Sequence, residues 1–192
     1  MIADSKRRKL EKTAYHEAGH AVIAWLLHRP FVHVSIIPDD VNLGHLRKTP
    51  KPASLHPEYE RNARTEGWLR GEIMVDLAGP LAEKLTTGRG NWRIGADGDF
   101  HHAFDMACYL TCGEAETTAF VRWLWERTKL LLEMNWPIME ALAKELLQRR
   151  VIGAKQARAL MREANLARVA VSVAVNRGEI YQSMCEALDF RI

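Results

Sequence analysis

The sequence predicts a predominantly helical α+β fold with one small antiparallel β-hairpin or sheet near its N-terminus. Three observations carry this. Apolar residues recur at helical spacing over several long segments. A single short region, Phe31 to Ile37, is rich in β-branched residues. Nothing repeats at a fixed period and no segment is low in complexity.

The first helix is expected from Glu11 to Leu27, where Ala14, Ala18, Ala21, Val22 and Trp25 follow a helical period. His28-Arg29-Pro30 ends it, because a residue before proline avoids the helical region. Phe31 to Ile37 reads as a strand, Pro38-Asp39-Asp40 as a turn and Val41 to Arg47 as a second strand. Thr49 to Pro57 holds three prolines and reads as a loop. A second helix is expected from Glu60 to Leu85, kinked or divided at Gly79-Pro80. Thr86 to Gly98 is glycine-rich and reads as a loop. Helices then follow from Asp99 to Leu110, Glu114 to Met134, Trp136 to Arg149 and Ala154 to Asn176. Pro137 is compatible with a first helical turn. Arg177 to Ile192 is weakly patterned.

At 192 residues, 47% of them hydrophobic, the chain suits one domain with a sizeable core. A net charge of +3 neither requires nor excludes an anionic partner. No apolar stretch reaches the roughly 18 residues of a spanning helix. The start of the chain has basic residues but no apolar core after them, so it does not read as a signal peptide. Residues 1–10, with the run Lys6 to Lys9, read as a solvated, disordered leader. Cys108, Cys112 and Cys185 form no disulfide framework; Cys108 and Cys112 are expected to be reduced and buried. A cytoplasmic location fits these features.

The run His16-Glu17-Ala18-Gly19-His20 carries the chemistry. Two histidines four apart on a helix share a face, one turn apart, and can grip one zinc ion. Glu17 sits about 100° round the axis, where it can take a proton without ligating the metal. A catalytic zinc needs a third protein ligand and an open position. The remaining histidines and the eight aspartates are candidates, among them His45, His101, His102, Asp97, Asp99 and Asp105, and spacing does not choose between them. The glycines at 88, 90, 95 and 98 match no nucleotide-binding spacing. Within Phe120 to Trp125, core packing is expected, with any exposed part open to subunit contacts.

Thr13 to Val22 resembles the zinc-binding helix of the M41 metallopeptidases, whose best-known members are the membrane-anchored, ATP-dependent FtsH proteases. Val32 to Gly44 resembles the hairpin that follows it. Leu77-Ala78-Gly79-Pro80-Leu81-Ala82-Glu83-Lys84 resembles a later helix, and Asp99, Ala103 and Ala107 its Asp-any-any-any-Ala-any-any-any-Ala pattern. Asn135 to Met161 is similar to the closing helices. The resemblance covers about residues 10 to 162 and implies a zincin-like peptidase domain over 11–162, with 163–192 as a helical extension. It implies His16, His20 and Asp99 as ligands of one catalytic Zn2+ per chain, and Glu17 as the catalytic base.

The expected activity is that of a zinc metalloendopeptidase (EC 3.4.24.-) hydrolysing unfolded polypeptides. A non-catalytic M41-like binding or assembly module is the alternative. Two departures bear on partners. The chain has no Gly-rich loop ending in Gly-Lys-Ser/Thr, and no membrane anchor. An ATPase acting in trans and a homo-oligomer are therefore considered as partners; no specific nucleic acid and no membrane span are expected. Gly98-Asp99 also stands where the family has Asn-Asp, after a longer loop.

Overall fold

The computed structural model describes residues 2–38, 43–88 and 98–170. Its elements are α1 (Ile2–Leu26), β1 (Phe31–Ser35), β2 (His45–Lys48), α2 (Ala63–Thr87), α3 (Gly98–Cys108), α4 (Glu114–Met134), α5 (Trp136–Arg149) and β3 (Val151–Gly153). A sixth helix, α6, runs through 154–170. The fold is thus predominantly helical with one small antiparallel sheet, as the sequence predicts.

Helix α1 packs its small-residue face on α2. Ala14, Ala18 and Ala21 are fully buried, and Gly19 faces the α2 backbone so closely that a Cβ there would lie 2.6 Å from the Ala78 carbonyl oxygen. Small side chains let the two backbones approach, and this crossing sets the site described below. The helix closes at His28, whose φ of 56° lies in the left-handed region. The Arg29 N–H donates to the Ala24 carbonyl, and Pro30 prevents continuation. At the other end, α1 starts at Ile2 rather than Glu11. Lys6, Arg7, Arg8 and Lys9 are exposed but helical. Lys and Arg are good helix formers and no breaker separates them from Glu11, so the segment expected as a disordered leader extends the rod.

Helix α2 opens with a capping box: the Asn62 side chain accepts from the Arg64 and Thr65 N–H groups, and Thr65 Oγ1 accepts from the Asn62 N–H. It closes at Gly88, with φ 65°. Pro80 lies inside one continuous element, so Gly79-Pro80 does not divide the helix. The missing N–H at Pro80 costs one helical bond, which packing on both sides outweighs: Leu77, Ala78, Leu81 and Ala82 are fully buried. Helices α4 and α5 have the predicted bounds, and Asn135 alone joins them.

The sheet has the order β2-β1-β3, all neighbours antiparallel. The β1–β2 hairpin pairs Phe31 with Lys48 and Ser35 with His45. Strand β2 begins at His45, not Val41; residues 39–42, including most of the predicted turn, lie outside the described residues. Strand β3 was not anticipated. Three residues between two helices give no readable alternation, and only pairing with β1 makes them a strand.

One apolar core joins α1, α2, α4, α5 and the start of α6, through residues such as Ile23, Leu77, Leu124, Leu142, Ala157 and Met161. Val121, Leu124 and Trp125 are buried in it, while Trp123 on the same helix is 51% exposed. Cys108 and Cys112 are exposed, not buried: Ala103 and Ala107 take the inward face of α3, which turns Cys108 outward. Cys185, the predicted end of α6 near Asn176, and Arg177 to Ile192 lie outside the described residues. Among the described residues no helix is long and apolar enough to cross a membrane.

Candidate metal centre

His16 and His20 stand on the buried face of α1, and Asp99 opens α3. The structure brings these three together. His16 Nε2 lies 3.0 Å from His20 Nε2 and 3.0 Å from Asp99 Oδ2, and His20 Nε2 lies 3.1 Å from the same oxygen. Among the described residues this is the one group of three such side chains whose donor atoms converge.

Partners on the far side of each ring orient them. His20 Nδ1 donates to the Val75 carbonyl at 2.6 Å, and His16 Nδ1 donates to Glu83 Oε1 at 2.9 Å. Lys12 Nζ holds the other Glu83 oxygen at 2.7 Å. With both Nδ1 atoms donating, both Nε2 atoms present lone pairs to the centre. Two nitrogen lone pairs and a carboxylate oxygen about 3 Å apart repel unless positive charge sits among them. Zinc–nitrogen bonds of about 2.0–2.1 Å in a tetrahedron separate ligand atoms by about 3.3 Å, so the triad fits such an ion with little adjustment. Protons serve the same end in its absence. Burial pulls the His16 pKa down, but hydrogen bonds to Asp99 and Glu83 outweigh it and raise it. For Asp99, burial pushes upward, yet His20 and His16 hold the carboxyl well below the usual range.

Glu17 is 4% exposed. Its Oε2 is buried and has no hydrogen-bond partner among the described residues. Burial raises its pKa, partly offset by His20 and His16. A buried carboxylate oxygen without a partner among the described residues is costly, and such groups mark candidate functional sites. Glu17, His16, His20 and Asp99 all line one cavity of about 640 Å³, with Gly44, His45 and Leu46 from the hairpin on its rim.

None of the other candidates among the described residues joins this triad. His45 lines the cavity, but its Nε2 meets His33 Nε2 at 3.1 Å. His101 and Asp105 are exposed on α3. His102 donates from Nδ1 to Asp76 Oδ2 at 2.6 Å. Asp97 lies outside the described residues, as does most of the Gly-rich loop before α3.

Three residues of α2 escaped the sequence reading. Glu83 anchors His16, Asp76 anchors His102, and Gly79 leaves room for both imidazoles: a Cβ there would fall on the Nε2 atoms of His16 and His20. A signal existed. Glu72, Asp76, Gly79 and Glu83 follow steps of four, three and four, which is one stripe of a helix. An acidic stripe interrupted by glycine on an otherwise buried helix is a sign of a polar cleft.

A helical domain that folds such a His-Glu-any-any-His helix against a distant aspartate has the build of a metallopeptidase. Residues 1–112 match the model of peptidase family M41, and the chain belongs to that family. The ATP-dependent zinc metalloprotease FtsH of Nitrosococcus oceani is 35% identical over 113 residues, covering 58% of this chain and 16% of that protein. The ATP-dependent zinc metalloprotease YME1L1 of Homo sapiens is 35% identical over 106 residues, covering 54% of this chain and 12% of that protein. FtsH of Acidobacterium capsulatum is 25% identical over 211 aligned positions, covering 86% of this chain and 30% of that protein. The chain therefore spans less than a third of the length of each of these relatives.

Proposed function

We propose that the chain is a zinc metalloendopeptidase that hydrolyses unfolded polypeptides. His16, His20 and Asp99 are the protein ligands of one Zn2+ per chain, and Glu17 is the catalytic base. The observation that carries this reading is a converged donor triad in one cavity with a Glu17 carboxylate oxygen that has no partner among the described residues. The names of the M41 relatives, zinc metalloproteases, support it.

Zinc held there supplies Lewis-acid polarisation of the scissile carbonyl and of a water molecule. Glu17 then accepts the water's proton as its oxygen attacks the carbonyl carbon, and delivers that proton to the amide nitrogen as the C–N bond breaks. Burial raises its pKa above the ordinary carboxylate value, which favours holding the proton between its uptake and its return. Residues 11–162 form the peptidase unit. We place it in the cytoplasm, in keeping with two free, exposed thiols, and expect it to work on loose chains or beside an ATPase acting in trans, as a monomer or a homo-oligomer.

The purified chain is expected to carry about one zinc by emission spectrometry and to cleave a dye-labelled, unfolded protein. A chelator should stop cleavage and added zinc restore it. A folded, zinc-loaded chain that cleaves nothing would establish the non-catalytic binding module instead.

Glu83 holds the ring of His16 in place, so Glu83→Ala should weaken zinc binding roughly 10–100-fold in competition with a chelating indicator. Unchanged affinity would show that the His16–Glu83 bond does not orient the ligand.

A further inference from the structure

The cavity contains a polar network that the mechanism above does not use. Asp76, on α2, is 3% exposed. Its Oδ1 takes a hydrogen bond from Lys48 Nζ, at the end of β2, and its Oδ2 takes one from His102 Nδ1 at 2.6 Å. Lys48 Nζ also donates to Glu72 at 3.1 Å. His102 lies three residues after Asp99 on α3, so the two share a helix face one turn apart. Lys48, Asp76 and His102 line the same cavity as His16, Glu17, His20 and Asp99.

The Asp76 carboxylate is enclosed and the His102 side chain is 51% exposed, on the cavity side. Asp76 fixes the ring and commits Nδ1, leaving Nε2, which has no partner among the described residues, for whatever enters the cavity. The bond to Asp76 also favours the imidazolium, whose Nε2–H is then a charged donor.

The geometry points to His102 as the residue that hydrogen-bonds, through Nε2, the carbonyl oxygen of a bound polypeptide as it becomes an oxyanion, with Asp76 as its positioning residue. The inference rests on the peptidase reading and adds a residue to it. A donor held in place before reaction, facing developing negative charge, stabilises the transition state more than the bound substrate. His102 thus differs in function from Glu17, which moves a proton.

The test compares the zinc-loaded parent with His102→Ala, His102→Gln and Asp76→Asn, using an unfolded-peptide substrate and a peptidyl phosphinate that mimics the tetrahedral anion. His102→Ala should lower kcat by roughly 10²-fold or more, with KM within about threefold of the parent. Phosphinate affinity should fall by a similar factor and zinc content stay unchanged. His102→Gln, which retains a neutral donor, should recover part of both losses. Asp76→Asn should lie between parent and His102→Ala. A parent that cleaves and binds the phosphinate, with His102→Ala matching it within twofold on both, overturns the assignment alone. A zinc-loaded parent that neither cleaves nor binds the phosphinate overturns the peptidase reading, and this assignment with it.

Discussion

Replacing Glu17 with glutamine is expected to lower kcat on an unfolded polypeptide by roughly 10²–10⁴-fold, the range associated with a lost general base. Zinc should stay bound. The amide is nearly isosteric with the carboxylate, so the packing around this 4% exposed side chain changes little. It cannot accept and return a proton. It also removes a buried negative charge whose Oε2 has no partner among the described residues, so folding stability should hold or rise slightly. Metal analysis and a melting curve, run beside the cleavage assay, separate these effects. A Glu17→Gln protein that cleaves as fast as the parent would remove Glu17 from the mechanism.

Asp99→Ala should act on the metal rather than on the proton. Loss of a whole ligand should weaken zinc by more than the roughly 10–100-fold expected for loss of a partner behind a ligand, as at Glu83. It leaves His16 and His20 facing each other at 3.0 Å without the carboxylate that balances them. In the metal-free protein their pKa values should therefore fall, because Asp99 is a main cause of their elevation. Two readouts, zinc competition and histidine titration by NMR, address the same contact from opposite sides. Zinc affinity within twofold of the parent would exclude Asp99 as a ligand.

The difference between these two residues mirrors what the sequence could reveal. Glu17 sits one residue from His16, and helical geometry alone relates them. Asp99 lies 79 and 83 residues from its histidine partners. No local pattern spans that distance; only the resemblance favours Asp99 among the remaining histidines and the aspartates. The same limit applied to Glu83 and Asp76, which act through contacts made when α1 and α3 pack on α2. Helices α4 and α5 were legible to the residue because a Gly before Glu114 and an Asn-Trp-Pro junction punctuate strong periodicity. Strand β3 was not, since pairing with β1 creates it. The burial expected of Cys108 failed because its neighbour Ala107 already occupies the inward position.

Gly79 carries a consequence for how such chains are sorted. Ligand residues are an inventory, and an inventory can be complete while the seat for the ion is lost. A Cβ at position 79 would occupy the space of both imidazole tips. A related chain that kept His16, Glu17, His20 and Asp99 but placed alanine at 79 would still be scored as an enzyme by its motif. Sterically, its two rings would have to move from the positions they hold here. The vacancy on α2 is as much a part of the signature as the histidines that lean into it.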